Sequence, residues 1–494
     1  MTRQVSVNSP GRPLTRRALL RSAGVLAGTA ALAGCGSAPT SQDAAGSGSS
    51  GTPGALRWWD HFAPLESLQN ATFARFTGGG GPPVEYTLYN PNEQGQALQL
   101  AFGSRQLPDV FTLSGLGVPP SLLHEQGWFA PLTTADAIRA GLPAGILTEG
   151  MHSFDGALHS FPIFTPRQYE TLVWFDRNLL ARAGLDPESP PASWDDLRAA
   201  ARAVQRSGVA SGIVLPLQFP DRLAAFVLEL AQTAGFPGTR GNGLDGLDLT
   251  TGEYRFHDDA FLAAIEFLLS FARDDTMFLA STSLDARSAR VRWAAEGGAF
   301  FLDGPYNAGV LAGKFPQVLG RIGVGSIPTP DGRAPVLTRP PNDGTFWMSG
   351  RSGAVEAAST LLELFVSAEY QRGLAAAMDQ PPLDLGVVAG SDAHPTYKRC
   401  VQLFGEQVFL GPAVTGRNPR VAAVLGAMKP VEPGLGAIIQ GIASEQVTDV
   451  RGRLRRLSDE WTAARDAAIA EVGGGVSTAD WAFPDWRRGE DYTA

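Results

Sequence analysis

The chain has 494 residues, and its formal net charge is −9 at pH 7. This acidic balance argues against nucleic acid as a partner, because both surfaces would be negatively charged. The two cysteines, Cys35 and Cys400, are too few for a disulfide framework or a cysteine-based metal site. The length beyond residue 34 predicts two lobes rather than one core.

The first 34 residues have the pattern of an export signal. Arginines at positions 3, 12, 16, 17 and 21, without an acidic residue, precede an apolar run over residues 23–33. That run is shorter than the roughly 20 residues that a membrane-spanning helix needs. Arg16–Arg17 resembles a twin-arginine signal, with the general secretory route as the alternative, and Leu32–Cys35 resembles a lipobox. We therefore expect a signal peptide over 1–34 and a lipid anchor on Cys35, at the extracytoplasmic face of the cell membrane.

Strand and helix patterns alternate after a Gly/Ser-rich stretch, residues 35–54, which predicts a disordered tether. The spacing predicts strands over 56–62, 84–89 and 108–113, with helices over 65–76 and 94–102 between them. This order is typical of an α/β fold with a mostly parallel, helix-flanked sheet. Ligands of such sheets bind at the carboxyl ends of strands, where Trp58, Trp59, Asp60, His61 and Ser114 lie.

Further elements follow along the chain. Ser193 and Asp196 form a capping-box pattern at the start of a helix over 194–206. The remaining predictions are helices over 261–273, 287–296 and 448–472, a strand over 298–302, and one or two helices over 355–378.

Six segments, in order, resemble the family 1 extracellular solute-binding proteins, the maltose-binding-protein-like class. They are Leu107–Phe111 (LPDVF), His124–Leu132 (HEQGWFAPL), Leu172–Leu180 (LVWFDRNLL) with Ala183–Leu185 and Ser193–Leu197, Glu296–Tyr306 (EGGAFFLDGPY), Ile322–Pro328 (IGVGSIP) and Ala357–Gln371. The resemblance covers nearly all of residues 55–475.

The resemblance implies a two-lobe periplasmic-binding-protein type II fold with a hinge and an inter-lobe ligand cleft. It places crossing segments near 161–169, 330–337 and 380–385. The lobes then comprise residues 55–165 plus 332–380 and residues 166–331 plus 381–475, followed by a C-terminal tail over 476–494. The implied function is a monomeric binding protein that captures a mono- or oligosaccharide and delivers it to the permease subunits of an ABC importer.

Candidate ligand-binding residues follow from strand ends and crossings, because a sugar needs aromatic faces and directed hydrogen bonds. Asp60 with Trp59 is favoured at the first strand end, although one of the adjacent tryptophans could be core. Tyr306 stands where the family often has a stacking Trp. Each of the others has a structural alternative, such as helix capping, inter-lobe contact or core packing. The complete set is Trp59, Asp60, Asn92, Gln94, Ser114, Arg167, Tyr169, Asp303, Tyr306, Asn307, Asp343 and Trp347.

An enzyme is the main rival class, and its usual motifs are missing from the sequence. There is no G-x-S-x-G elbow, no Walker A and no second His beside His124–Glu125. Gly241–Gly246 matches G-x-G-x-x-G, but it has no strand before it and no helix after it. We therefore expect no cofactor, no metal site and no catalytic activity. A binding lipoprotein for a peptide, polyamine or phosphodiester, and a secreted carbohydrate-active enzyme, remain the alternatives.

Overall fold

The computed structural model describes residues 52–492, except residues 90, 117, 144 and 242. The expected signal peptide, Cys35 and nearly all of the expected tether lie outside the described residues. The strands are β1 (Leu56–Asp60), β2 (Val84–Leu88), β3 (Val110–Phe111), β4 (Ser153–Phe154), β5 (Ala157–Leu158), β6 (Leu172–Asp176), β7 (Ser211–Val214), β8 (Leu247–Asp248), β9 (Glu253–Tyr254), β10 (Gly298–Asp303), β11 (Ile322–Gly325), β12 (Leu337–Arg339), β13 (Trp347–Met348) and β14 (Val408–Leu410).

Helices flank these strands along the whole described chain. They are α1 (Glu66–Gly78), α2 (Pro91–Gly103), α3 (Pro120–Glu125), α4 (Ala135–Gly141), α5 (Arg177–Arg182), α6 (Trp194–Ser207), α7 (Pro220–Thr233), α8 (Asp259–Arg273), α9 (Ala286–Ala294), α10 (Asn307–Lys314), α11 (Val355–Glu363), α12 (Ala368–Ala377), α13 (Gly386–Ala389), α14 (Pro395–Gln407), α15 (Val414–Arg417), α16 (Val421–Ala427), α17 (Leu435–Ala443) and α18 (Val450–Val472). Within the described residues, no helix is both long and apolar enough to span a bilayer.

The predicted elements are present, with shifts at their ends. Ser193 and Asp196 form the expected capping box of α6, an arrangement that stabilises a helix by about 1 kcal/mol. The strand expected over 108–113 is regular only over β3. The region 355–378 forms two helices, because the chain turns at Ser367, whose side chain then caps α12.

The first sheet has the strand order β13–β3–β1–β2. Strand β1 runs parallel to both β2 and β3, whereas β13 is antiparallel to β3. Side chains alternate along β1, so Trp58 packs on one face against Phe73, Phe346 and Phe365. Trp59 lies on the opposite face, against Tyr89. The carboxyl ends of β1 and β3 therefore point to the same edge of this sheet.

The second sheet has the strand order β11–β6–β10–β7. Its central strand β6, with the sequence LVWFD, is buried at every position, as its uninterrupted apolar run predicts. Strand β10 is antiparallel to β6 and parallel to β7. The indole of Trp174 donates to the carbonyl of Asp303 at 3.0 Å and so fastens the end of β10 to β6.

Three segments connect the regions around the two sheets. The first and third run side by side, since Phe164 forms a bridge with Pro382 and the N–H of Thr165 donates to Pro381 O at 3.0 Å. The second crossing comprises residues 340–345. It lies later in the chain than the expected 330–337, because β12 pairs with β14 and Leu337 is buried in the core of the second sheet. The lobe boundary expected at residue 332 is wrong for this reason.

The C-terminal segment 476–494 is not an unattached tail over its described part. Trp481, Phe483 and Trp486 are buried in the core of the second sheet. Asp491 accepts a hydrogen bond from the N–H of Leu410 at 2.9 Å. Burial of three aromatic side chains makes this segment part of the second lobe.

Candidate ligand-binding cleft

A cavity of about 440 Å³ lies where the crossing segments meet the ends of both sheets. Groups from both lobes and all three crossings line it. They are His61, Phe62, Thr112, Leu113, Ser114, Phe164, Pro166, Gln168, Tyr169, Glu170, Arg240, Gly241, Tyr306, Arg339, Pro340, Pro341, Asn342, Asp343, Gly344, Thr345 and Gln380. A concave site with a few convergent polar groups is the usual form of a small-molecule site.

The first sheet contributes a hydrogen-bonded pair at the ends of β1 and β3. His61 Nδ1 lies 2.9 Å from Thr112 Oγ1, and Gln94 of α2 donates from Nε2 to the same hydroxyl oxygen at 2.9 Å. Burial lowers the pKa of His61 to about 4, so the imidazole is neutral at physiological pH. A neutral imidazole offers a ligand one donor or one acceptor, depending on its tautomer.

The second lobe contributes a network of arginines and carboxylates. Glu170 pairs with Arg222 at 3.0 Å and with Arg240 at 3.2 Å. Glu229, which is fully buried, pairs with Arg240 at 3.1 Å and with Arg339. Although burial opposes its ionisation, the arginines hold the pKa of Glu170 at about 2. The charges of this wall are therefore paired with one another before any ligand arrives.

Tyr306 presents the second lobe's aromatic ring to the cavity, directly before α10. Its hydroxyl accepts a hydrogen bond from Arg222. The guanidinium carbons of Arg222 and Arg290 lie 5.4 Å and 5.5 Å from the ring centroid. Arg290 is itself held by Asp303, from which it is 2.6 Å away. Cation–π contacts of this kind fix the ring that the sequence singled out for stacking.

Asp343 of the second crossing faces the open cleft. Its side chain is exposed to the space between the lobes, although the surrounding walls partly desolvate it. Burial raises the pKa of Asp343 to about 6, whereas no charged neighbour among the described residues shifts it. Its carboxylate differs in this respect from the paired Glu170.

The structure brings four of the predicted site residues to the cavity wall: Ser114, Tyr169, Tyr306 and Asp343. Two others support the wall from behind. Gln94 is buried beneath Thr112, and Asp303 is buried against Arg290. The side chain of Asn92 lies outside the described part of the chain.

Five further predicted residues do not line the cavity either. Asp60 is still within β1, so it shares the buried face of Trp58 and accepts hydrogen bonds from Trp58 Nε1 at 2.9 Å and Tyr86 Oη at 2.8 Å. Trp59 packs on the other side of the sheet with the fully buried Trp347. Arg167 and Asn307 likewise lie outside the cavity lining.

Arg167 points away from the cleft, since its guanidinium donates to Val408 O and to Asp491. Asn307 is fully buried in the first turn of α10. A crossing segment alternates its side chains, so its neighbours Pro166 and Gln168 reach the cavity instead of Arg167.

Several wall residues were missed by the sequence reasoning. Glu170, Arg240 and Arg339 come together from positions far apart in the chain, and no local motif marks their pairing. Thr112, two residues before the predicted Ser114, could have been identified from its position directly after β3. Among the described residues, no group of three or more His, Cys, Asp or Glu is arranged to hold a metal ion.

Comparisons with known proteins agree with this geometry. The chain is 22% identical over 267 residues to an sn-glycerol-3-phosphate-binding periplasmic protein of Agrobacterium fabrum, which covers 48% of this chain and 54% of that protein, about half its length. The maltose-bound MalE3 of T. maritima has a TM-score of 0.62 at 16% identity, over 83% of this chain and 99% of that one. A tagatose-bound ABC transporter solute-binding protein of Thermotoga lettingae has a TM-score of 0.60 at 17% identity, over 85% and 99%.

These structural likenesses confirm the predicted two-lobe periplasmic-binding fold. In addition, the family model described as bacterial extracellular solute-binding protein matches residues 60–372. That span contains the strands of both sheets except most of β1, and it contains every wall residue except Gln380. The chain therefore belongs to the bacterial extracellular solute-binding protein family.

Proposed function

We propose that the chain is the extracytoplasmic binding protein of an ABC importer, which captures a sugar between its lobes and delivers it to a membrane permease. The observation that carries the proposal is the cavity at the crossings, where rings and hydrogen-bonding groups from both lobes face one space. A sugar presents flat C–H faces and a rim of hydroxyls, so it requires both kinds of group. Phe62, Phe164 and Tyr306 supply the rings, while Thr112 and Gln168 supply neutral polar groups.

The structural relatives support a saccharide ligand. Three of them are a tagatose-bound solute-binding protein, a maltose-bound MalE3 and a chitin oligosaccharide binding protein. The volume of about 440 Å³ lies in the lower part of the range of roughly 300–1,000 Å³ that is usual for small-molecule sites. A short saccharide therefore fits this cavity better than a long one.

The charge pattern of the wall favours a neutral or cationic ligand over an anionic one. The relative from Agrobacterium fabrum binds sn-glycerol-3-phosphate, so an organic phosphate is the alternative to weigh. In this cavity Arg240 and Arg339 are already paired with Glu229, and a phosphate would also face Glu170 and Asp343. Burying an anion beside unpaired or shared carboxylates is costly.

Calorimetric titration of the purified protein tests the proposal. No tryptophan of the described chain lines the cavity, so heat is a more direct signal than intrinsic fluorescence. The panel contains mono- and disaccharides, sn-glycerol-3-phosphate, a short peptide and a polyamine. We expect saturable binding of at least one saccharide and a loss of about tenfold or more in Tyr306→Ala. Binding of only a non-sugar solute would refute sugar capture, and turnover of a sugar would refute the binding-protein class.

Export and anchoring are also part of the proposal. They rest on the sequence pattern of residues 1–34 and on Cys35. We expect the wild-type protein to be recovered in the membrane fraction and to incorporate labelled palmitate. Cys35→Ala should remove both properties. Replacing Arg16 and Arg17 by Lys should block export if the twin-arginine route is used, whereas unchanged export would indicate the general secretory route.

A further inference from the structure

The backbone around Asp343 is fixed on both sides. Asn342 donates from Nδ2 to Phe164 O at 3.1 Å, and the N–H of Thr345 donates to Phe161 O at 2.9 Å. A Cβ at Gly344 would collide with Ser160 Oγ, so the chain is held close to its neighbour at that point. These contacts fix the backbone on both sides of Asp343, so its side chain projects from a defined point of the cavity wall.

The Asp343 carboxylate has no partner within the described part of the protein. Within the described part of the chain, it forms neither a hydrogen bond nor an ion pair, although it is exposed to the cleft. The other charged side chains of the wall, Glu170, Arg240 and Arg339, are all paired. Among the charged side chains of the described wall, Asp343 is therefore the one without an ion-pair partner.

Closure of the lobes over a ligand raises the free energy of the unpaired Asp343 carboxylate, because it removes water from the charge. A carboxylate that is covered by a neutral ligand loses water and gains hydroxyl donors, but it gains no opposite charge. A ligand ammonium group would supply both the donors and the charge, in a short charge-assisted hydrogen bond.

We propose that the ligand is a sugar carrying a protonated amino group, and that Asp343 is the residue that pairs with this group. The inference rests on the proposed sugar capture and narrows its substrate class. On this proposal the second crossing determines specificity for the amino group. Tyr306 and the polar residues at the strand ends recognise the rest of the saccharide.

Matched pairs of sugars test the inference by calorimetry at low ionic strength and pH 7. The pairs are glucosamine and glucose, galactosamine and galactose, and the disaccharide of glucosamine against cellobiose. For the wild type we expect the amino member of the best pair to bind roughly tenfold or more tightly. Asp343→Asn keeps the side-chain shape and should reduce that preference to about threefold or less, because the amino member loses its ion pair and the neutral member no longer has to desolvate a charge.

The exposed Asp392, which does not line the cavity, provides the control. Asp392→Asn removes the same formal charge and should leave the preference unchanged. Thermal midpoints within a few degrees of the wild type would show that both variants are folded.

The pH dependence gives a second readout whose sign differs between ligands. An ammonium group lowers the pKa of Asp343 on binding, so between pH 5 and 7 affinity increases with pH and is lost as the pH falls through 6. A neutral sugar that buries the carboxylate raises its pKa, so affinity would rise as the pH falls. His61 and His152 have pKa values near 4, and Glu170 near 2, so they do not titrate between pH 5 and 7.

Two further carboxyl groups near the cavity have raised pKa values. Burial raises the pKa of Asp379, which precedes the wall residue Gln380, to about 7. Burial also raises the pKa of Asp245, which accepts a hydrogen bond from the N–H of the wall residue Gly241 at 2.7 Å. The comparison of wild type with Asp343→Asn separates Asp343 from both, because only the contribution of Asp343 is lost in the variant.

The outcomes distinguish the inference from the function on which it rests. If neutral sugars bind as tightly as their amino partners, or if Asp343→Asn keeps the preference, the amine assignment is overturned and sugar capture stands. If no sugar of either set binds while a non-sugar solute does, both are overturned.

Discussion

Replacing Glu229 by Gln should destabilise the protein more than any single surface change. Glu229 is fully buried, pairs with Arg240 at 3.1 Å and with Arg339, and accepts the N–H of Glu170 at 3.0 Å. The substitution keeps the volume but removes the charge, which leaves two guanidinium groups partly uncompensated. Breaking a buried ion pair from one side costs about 3 kcal/mol or more.

That loss is measurable as a thermal midpoint. With an unfolding entropy of about 2.1 cal/mol/K per residue, about 3 kcal/mol lowers the midpoint of a chain of this length by roughly 3 °C. Scanning calorimetry of Glu229→Gln should be compared with Glu266→Gln, which removes an exposed partner of Arg273 and should cost less than about 1 kcal/mol. Equal midpoints in the two variants would show that the buried network does not stabilise the fold.

The remaining predictions concern the wall and the local structure. Tyr306→Phe keeps the ring but loses the hydroxyl that Arg222 contacts, so titrations should show a loss of about threefold, smaller than for Tyr306→Ala. Gly344→Ala should destabilise by about 1–3 kcal/mol, whereas Gly353→Ala, which has open space, should change the midpoint little. Ser193→Ala removes the capping box and should cost about 1 kcal/mol in chemical denaturation.

Local patterns predicted the elements well, because periodicity and capping act within a few residues. Ser193 and Asp196 lie within one turn of each other, and the structure has the capping box that they predicted. The strand of Trp58 and Trp59 was likewise predicted from its apolar run. Its end was not, since Asp60 remains paired with Leu88 in the sheet and is buried. A residue expected at a turn thus became part of the core.

The binding wall was harder to predict because it depends on contacts between distant segments. Trp347 follows the second crossing, as expected, but it pairs with Phe111 at the edge of the first sheet and is buried there. Only the strand order, which the sequence does not give, decides this position. The pairing of Arg240 with Glu170 depends in the same way on the packing of the second lobe.

The side-by-side course of the first and third crossings limits how the lobes can move. Thr165 is bonded to Pro381 O, and Gln168 donates to the Gln380 side chain at 3.0 Å. Two crossing segments that are hydrogen-bonded to each other at two points bend together about one hinge axis and resist twisting. The rotation that uncovers the cavity should therefore follow one direction. A one-residue insertion in either crossing segment would shift its hydrogen-bonding groups out of register with those of the other.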